Sequence, residues 1–229
     1  DQAISREGGL FNGLTWYDFT AYYETLPVER LSLAMDVEAD RMSNATFDPQ
    51  EVEAERTVII SERQGNENSP QFLLEEAVSK AAYTVHPYGH EIIGNMQDLE
   101  SITAEDLRNH YQTYYTPNNA IIAMAGDFNA GEMERISERY FGSIAKGPEI
   151  PQVSVEEPPQ QEERRVVVKG AGGIDYLMVA YHMCGARHPD FFPLTVLNAI
   201  LAGGSGFPVG YGALTNRTSR LYQALVESD

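Results

Sequence analysis

The pattern of apolar and polar positions is most regular in residues 48–63, where it predicts an amphipathic helix. Asp48 can cap the first turn, and Pro49 suits the first helical position because its missing N–H is not needed there. A cluster of Gly, Asn, Ser and Pro at residues 65–70 ends the pattern. Both ends of the helix are therefore marked by residues that favour them.

Two carboxylates occupy one side of this helix. At about 100° per residue, Ile59 falls near Val52, while Glu55 and Glu62 fall between Ile59 and Val58. The glutamates are seven positions apart, so they lie two turns, or roughly 10.5 Å, from each other along one face. We therefore expect both carboxylates to lie inside the apolar stripe of the helix.

A buried carboxylate needs a cationic partner, because an unpaired one costs several kcal/mol. Arginine is one candidate, and Arg41, Arg56 and Arg63 are all close in sequence. A metal ion is the other candidate, bound by one glutamate and influenced by the second. The residues alone leave both interpretations open, a structural ion pair and a metal or catalytic site.

The rest of the chain alternates helical and extended patterns and predicts an α+β protein. A Pro-rich acidic segment at 146–163 has no apolar period, so we predict a linker there. The linker would divide the chain into residues 1–145 and 164–229. Further helices are expected at residues 1–9 (the end of one), 27–44, 69–83, 103–114, 132–141, 193–201 and 218–227. Strands are expected at 10–26, where one strand leads into a second extended segment, at 120–126, where the strand should be buried, and at 164–169 and 174–182.

Composition narrows the classes of function. The chain has 34 acidic and 16 basic residues and a formal net charge of −18, which disfavours nucleic acid and anionic membranes as partners and mildly favours basic peptides. No run approaches the roughly 18 to 20 apolar residues of a membrane span. The single Cys184 excludes an intrachain disulfide framework and a cysteine-rich zinc site. The cellular compartment stays open.

Three other features favour plain structural interpretations. His86 and His90 are four apart, but Pro87 and Gly89 predict a turn there and not a metal-binding helix. The Gly-rich residues 203–210 lack the Gly-Lys-Ser/Thr sequence of a phosphate loop, so a plain loop is expected. Both glutamates at positions 75 and 76 are expected to be solvated.

The sequence Glu55-Arg-Thr-Val-Ile-Ile-Ser-Glu62 resembles the metal-binding helix of the pitrilysin/insulinase family of zinc metallopeptidases. Each further motif is short, but together they follow the family's order along nearly the whole chain. They are Asn12-Gly-Leu-Thr, Phe47-Asp-Pro, His86-Pro-Tyr-Gly, Asp98-Leu-Glu-Ser-Ile-Thr, Tyr114-Tyr-Thr-Pro-Asn-Asn, Gly126-Asp-Phe and Ser219-Arg-Leu-Tyr.

The resemblance implies roles for four residues. In that family the second glutamate of a Glu-x6-Glu pair is the third zinc ligand, which maps the ligand onto Glu62 and a supporting catalytic carboxylate onto Glu55. Asn12 and Gly13 take the positions of a sheet edge to which the substrate adds as an extra strand. The family also implies a mainly antiparallel sheet flanked by helices, with one unit in residues 1–145 and the first part of a similar unit in 164–229.

One family motif does not occur in this sequence. The other two zinc ligands and the general base come from an inverted His-x-x-Glu-His helix, and none of the five histidines lies in such a string. Family spacing would place that helix roughly 15 to 20 residues before Asp1. We therefore expect an internal fragment that, with one zinc ligand of three, binds no catalytic zinc and cleaves nothing by itself.

The resemblance implies that the full-length parent is a zinc metalloendopeptidase that hydrolyses extended peptides. The alternative is a non-catalytic homologous subunit that binds substrate or assembles with an active peptidase. Retention of both Glu55 and Glu62 argues against that alternative. The expected partners are a peptide substrate and a related subunit in a homo- or hetero-oligomer.

Overall fold

The computed structural model describes residues 2–170, 173–203 and 217–227. The chain divides into two compact units, Asp1–Met178 and Val179–Asp229. The segment 146–163 lies in the first unit and contains no helix or strand. A domain boundary within this segment stays a prediction.

Helices dominate both units. In the described part of the first unit they are α1 (Gln2–Arg6), α2 (Leu31–Asn44), α3 (Pro49–Asn66), α4 (Pro70–Ala82), α5 (Met96–Ser101), α6 (Ala104–Tyr114) and α7 (Ala130–Phe141), together with strands β1 (Leu10–Thr15) and β2 (Thr20–Thr25). The second unit contains α8 (Phe191–Ala202) and α9 (Arg220–Tyr222), which continues into a π-helical turn, Gln223–Glu227. Short 3-10 turns occur at Val28–Arg30, Pro87–Gly89 and Pro117–Asn119. No helix among these described residues is long and apolar enough to cross a membrane.

Side-chain caps explain where several helices begin. The Asp48 carboxylate accepts a hydrogen bond from the Gln50 amide at 2.8 Å and so starts α3. Ser69 caps α4 in the same way. Thr103 and Asp106 cap α6 reciprocally, each side chain accepting from the other residue's amide. These starts confirm the predictions made from local sequence.

Strands β1 and β2 form an antiparallel hairpin, in agreement with the extended segment predicted at 10–26. The register runs from Leu10 opposite Thr25 to Thr15 opposite Thr20. The Trp16 amide donates to the Phe19 carbonyl at 2.8 Å and closes the turn. Within the described part of the chain, β1 has β2 as its one strand neighbour, so its other edge is open.

Three predicted strands do not form. Residues 120–126, 164–169 and 174–182, all of them described, join no ladder, and Ile121, Val167 and Leu177 are largely exposed. Their β-branched and aromatic content favours an extended chain, but a strand also requires a neighbour to share its hydrogen bonds. The pattern therefore identified extended segments without identifying their partners. The fold class is α+β with an antiparallel sheet flanked by helices, as predicted.

The buried hydrophobic side chains of the described residues come from four helices. They are Ile4, Met35, Phe72 and Met133. Helix α2 packs against α7, and α3 packs against α5. These contacts hold α3, the helix with the Glu-x6-Glu pair, against the rest of its unit.

A strap crosses the end of α4. The Glu157 carboxylate accepts hydrogen bonds from the three amides of residues 84–86 and from the Thr84 hydroxyl, at 2.7 to 3.0 Å. Seven residues later, Arg164 donates to the Ala81 carbonyl at 2.6 Å. Desolvation raises the pKa of Glu157, but the four hydrogen bonds outweigh it and lower that pKa to about 2. We call residues 157–164 the linker strap.

We predict that Glu157→Gln releases the linker strap, because the amide side chain loses the charge and cannot accept all four hydrogen bonds. Limited proteolysis within 146–163 at neutral pH should accelerate by about 5- to 10-fold. The exposed neighbour supplies the control, and Glu156→Gln should cut at the wild-type rate. Equal rates for the two variants would contradict the strap.

The same contact predicts a direction with pH. Because folding lowers the pKa of Glu157 to about 2, its stabilisation is complete above the unfolded pKa of about 4.3 and is lost as pH falls toward 2. With an acid protease, wild type and Glu157→Gln should therefore be cut within residues 146–163 at increasingly similar rates as the pH falls from about 4.3 toward 2.

Candidate metal-binding face and substrate edge

Glu55 and Glu62 lie on the solvent side of α3. Both side chains are exposed, and Val58, between them in sequence, is 56% exposed. The prediction that the two carboxylates lie in a buried stripe is therefore wrong. Among the described residues neither glutamate forms an ion pair.

Arg56 and Arg63 occupy the inner side of the same helix. Their side chains are 14% and 5% exposed, respectively. Each follows one of the glutamates by a single position, so the arginine pair points about 100° away from the glutamate pair. Because Arg56 and Arg63 point inward, Glu55 and Glu62 point toward solvent.

The guanidinium of Arg63 joins three elements. Its Nη2 donates to Glu76 Oε1 on α4 at 2.7 Å, and its Nε donates to Glu67 Oε1 just after α3 at 3.1 Å. Its Nη1 donates to the Gly94 carbonyl at 2.8 Å. The guanidinium carbon also lies 5.2 Å from the centre of the Phe72 ring. Each guanidinium nitrogen therefore has a partner, as a buried cation requires.

Glu76 is part of this network and is only 13% exposed, which corrects the prediction that it is solvated. Its Oε1 also lies 3.1 Å from Lys80 Nζ. Desolvation raises the pKa of Glu76, but Arg63 and Lys80 outweigh it and lower that pKa. Desolvation lowers the pKa of Arg63, but Glu76 and Glu67 have the larger effect, and the pKa of Arg63 is raised. Both groups of the pair stay charged.

Arg56 binds a different turn. Its Nη1 donates to the Leu99 carbonyl at 2.6 Å and its Nη2 to the Ile102 carbonyl, at the C-terminal end of α5, where a cation is favourable. Its Nε donates to Glu53 at 2.9 Å. Arg41 is paired with Glu38. All three candidate arginines therefore bind other groups, and the structural ion pair with Glu55 or Glu62 is not formed.

The described residues do not by themselves assemble a metal site. No three of their His, Cys, Asp and Glu side chains lie close enough together to hold an ion. Glu62 presents one exposed carboxylate, a donor that suits one position around zinc. Glu55 lies roughly 10.5 Å away along the helix, so the two cannot bind one ion directly. The donor set fits one ligand and a distant supporting charge.

The histidines at 86 and 90 form a turn, as predicted. His86 Nδ1 accepts a hydrogen bond from the Tyr88 amide at 3.2 Å, and Pro87–Gly89 is a 3-10 turn. The Tyr88 hydroxyl donates to both carboxylate oxygens of Asp18, at 2.6 and 2.8 Å. This bond and burial raise the pKa of Tyr88 to about 12. The turn therefore anchors the tip of the β1–β2 hairpin.

Asn12 and Gly13 lie on β1, opposite Tyr23 and Tyr22 of β2. Both are exposed, and the Gly13 amide donates to Asn12 Oδ1 at 2.8 Å. They therefore occupy the strand whose outer edge is open in the described structure, where a peptide could add by main-chain hydrogen bonds.

The sequence did not reveal the side chains of Arg41, Glu38 and Tyr115 that support this hairpin. Arg41 Nε donates to both oxygens of Glu38 at 3.1 Å, and its guanidinium carbon lies 4.1 Å from the centre of the Tyr22 ring. The Tyr22 and Tyr115 hydroxyls are 3.0 Å apart. The aromatic content of 10–26 was visible in the sequence, but its partners are distant in the chain.

An exposed carboxylate on a helix and an open-edged hairpin in the same unit are compatible with a metallopeptidase unit, and comparison with known families supplies the class. The family model described as "Insulinase (Peptidase family M16)" matches residues 1–96, and "Peptidase M16 inactive domain" matches residues 101–229. The chain belongs to the M16, or insulinase, family of peptidases. This confirms the pitrilysin/insulinase resemblance.

Individual members of the family are similar to this chain over most of its length. The uncharacterized zinc protease YmxG of Bacillus subtilis is 30% identical over 203 residues, covering 88% of this chain and 48% of that protein. The probable mitochondrial-processing peptidase subunit beta of Schizosaccharomyces pombe is 28% identical over 219 residues, covering 93% and 47%. A crystal structure of a protease from Helicobacter pylori matches with a TM-score of 0.85 at 26% identity, covering 99% and 52%.

The chain thus spans about half the length of the relatives that it matches. Those relatives include zinc proteases, which are metal-dependent hydrolases, so zinc is a metal of the family.

We predict that Arg63→Met destabilises the chain by roughly 3 to 5 kcal/mol, because it removes one partner of a buried ion pair and leaves Glu76 with Lys80 alone. Arg30 provides a matched control, since it is 56% exposed and pairs with Glu7 at 2.7 Å. Arg30→Met should cost less than about 1 kcal/mol. Urea unfolding measures both, and equal losses would show that Arg63 is not a structural centre.

Proposed function

We propose that this chain is part of a zinc metalloendopeptidase and supplies its third zinc ligand, Glu62. The observation that carries the proposal is the exposure of Glu62, with no ion-pair partner among the described residues, on a helix whose arginine face is buried. A carboxylate already paired with arginine would have to lose that partner before it could bind a metal. Membership of a peptidase family that includes zinc proteases supports the same role.

Glu55 has a supporting role in this proposal. Its distance along α3 excludes direct binding of the same ion, but its charge can orient a ligand or raise a ligand's basicity. Zinc, when bound, polarises the scissile carbonyl and activates water. The contribution of this chain is to hold one ligand and one supporting carboxylate on a fixed face of α3.

The substrate in this proposal is an extended peptide that adds to the open edge of β1 at Asn12 and Gly13. Main-chain hydrogen bonds would supply most of the affinity, so the conformation of the strand matters more than its side chains. The net charge of −18 favours basic peptides at this edge.

The remaining zinc ligands and the general base belong, in this proposal, to a His-x-x-Glu-His helix of the longer protein. The sequence given contains no such string, so the chain alone is proposed to be inactive. Assembly with a related subunit is also proposed, since three relatives are named as subunits of a mitochondrial-processing peptidase.

A second candidate is a non-catalytic subunit that binds substrate beside an active peptidase. It is favoured by the match of residues 101–229 to a family model described as inactive. The carboxylates at 55 and 62 favour the peptidase. Reading about thirty codons upstream of Asp1 separates the two, because His-x-x-Glu-His there supports the peptidase and its absence supports the subunit.

We predict that Glu62→Gln in the full-length protein abolishes stoichiometric zinc and peptidase activity, because it removes a charged ligand. Glu55→Gln should weaken both by roughly 10- to 100-fold, as changes beyond the ligands do. Glu51, an exposed glutamate on the same helix, supplies the control, and Glu51→Gln should behave as wild type. Stoichiometric zinc and full activity in Glu62→Gln would contradict the assignment of Glu62 as a zinc ligand.

For the chain as given, we predict that equimolar zinc leaves the melting temperature unchanged, because a ligand stabilises a protein only through a folded site with real affinity. Differential scanning calorimetry with and without zinc measures this. A steep rise at one equivalent would mean that the chain assembles a complete site by itself.

A further inference from the structure

Three side chains, those of Tyr22, Arg41 and Glu38, are stacked against the middle of β1. A Cβ atom added to Gly13 would lie 3.1 Å from Cδ1 of Tyr22, so the Tyr22 ring rests against the backbone of the strand. The guanidinium carbon of Arg41 lies 4.1 Å from the centre of that ring, within cation–π range. Glu38, three residues earlier on α2, accepts two hydrogen bonds of 3.1 Å from Arg41 Nε. The backbone at Gly13 is therefore connected to α2 through two side chains.

Arg41 also contacts a residue of β1 directly. Its guanidinium carbon lies 5.0 Å from the centre of the Phe11 ring. Residues two apart in a strand share a face, so Phe11 and Gly13 lie on the same side of β1. Arg41 thus contacts Phe11 directly and is linked to Gly13 through the Tyr22 ring.

Helix α6 and Tyr115, the residue that follows it, hold the other end of the stack. The hydroxyls of Tyr115 and Tyr22 are 3.0 Å apart, and the Tyr111 hydroxyl donates to the Arg41 carbonyl at 2.7 Å. The stack is therefore fixed from two helices, and neither contact uses a hydrogen-bonding group on the outer edge of β1.

The charges around the stack favour the Arg41–Glu38 pair. Glu24 on β2 lies opposite Phe11, and its Oε1 is buried without a hydrogen-bond partner. Desolvation, followed by the adjacent Glu38, raises the pKa of Glu24 to about 8, and Arg41 lowers it only in part. Glu24 therefore favours its neutral form at neutral pH, and Glu38 is the carboxylate that accepts the hydrogen bonds of Arg41.

We propose that Arg41 and Tyr22 are positioning residues for substrate binding, which hold the β1 backbone at Asn12 and Gly13 in the extended form that an added peptide strand requires. This inference rests on the proposed function and explains how its substrate edge is kept in register. A strand without this support would have to be ordered on binding, which lowers affinity for the peptide without changing the reacting groups.

The test uses the full-length protein and an extended peptide substrate. Arg41→Lys keeps the charge but loses the planar guanidinium that stacks on the ring. It should raise KM by about 10-fold and leave kcat within about 2-fold, with zinc content unchanged. Arg30→Lys, at an exposed arginine paired with Glu7, should leave KM and kcat at wild-type values.

Tyr22 provides an independent arm. Tyr22→Phe keeps the ring and should stay within about 3-fold of the wild-type KM, whereas Tyr22→Ala should raise KM by about 10-fold. Combining Tyr22→Ala with Arg41→Lys should raise KM little further, because both changes break one stack. On the chain as given, hydrogen exchange at the Asn12 and Gly13 amides should accelerate in Arg41→Lys and not in Arg30→Lys.

The outcomes separate the inference from the proposed function. A wild-type KM and unchanged amide exchange in Arg41→Lys, beside an inactive Glu62→Gln, would overturn the inference alone. Parallel loss of kcat and zinc in Arg41→Lys would also overturn it, since that is the result of general unfolding. Full activity in Glu62→Gln would overturn the proposed role of Glu62 alone, because peptide binding at β1 is measured separately by the KM and the amide exchange of Arg41→Lys.

Discussion

The buried guanidinium of Arg63 is the interaction on which the arrangement of this chain depends. It bonds to a carboxylate on α4, to a carboxylate just after α3 and to the carbonyl of Gly94, so it fixes both the position and the rotation of α3. Seven residues earlier, Arg56 repeats the arrangement against the end of α5. Because the two arginines set the inner face, they also determine that Glu55 and Glu62 face solvent.

An apolar side chain at position 63 would not give the same constraint. Burial of apolar surface is non-directional, so a leucine there would stabilise contact with α4 without selecting one rotation of α3. A guanidinium has donors in a fixed planar arrangement, and each must meet an acceptor when buried. In this helix the cost of burying the charge is offset by partners that exist at one rotation only. Directional bonding therefore specifies the outward face.

The features that could be predicted from the sequence are those that depend on residues close together in the chain. Asp48, Ser69 and Thr103 cap helices through contacts two or three residues away, and such contacts are visible in a short window. The inner face of α3 could not be predicted in this way, because the apolar positions alone suggested an arc that included the glutamates and excluded the arginines. The acceptor of Arg63 on α4 is 13 residues away, and the two tyrosine hydroxyls under the hairpin are 93 residues apart. The strands predicted at 120–126, 164–169 and 174–182 are wrong for the same reason, since a local preference for extended backbone does not determine whether another strand lies beside it.

The arrangement of charge on α3 has a consequence for the proposed ligand. In a chain with 34 acidic and 16 basic residues, an arginine near Glu62 with spare donors would tend to pair with it and compete with a metal ion. Arg63 is the adjacent residue, yet all three of its guanidinium nitrogens are already bound to acceptors on the inner side of the helix. Arg56 is held in the same way beside Glu55. The inner hydrogen bonds therefore do two things at once: they orient the carboxylates outward, and they keep the nearest cations from neutralising them.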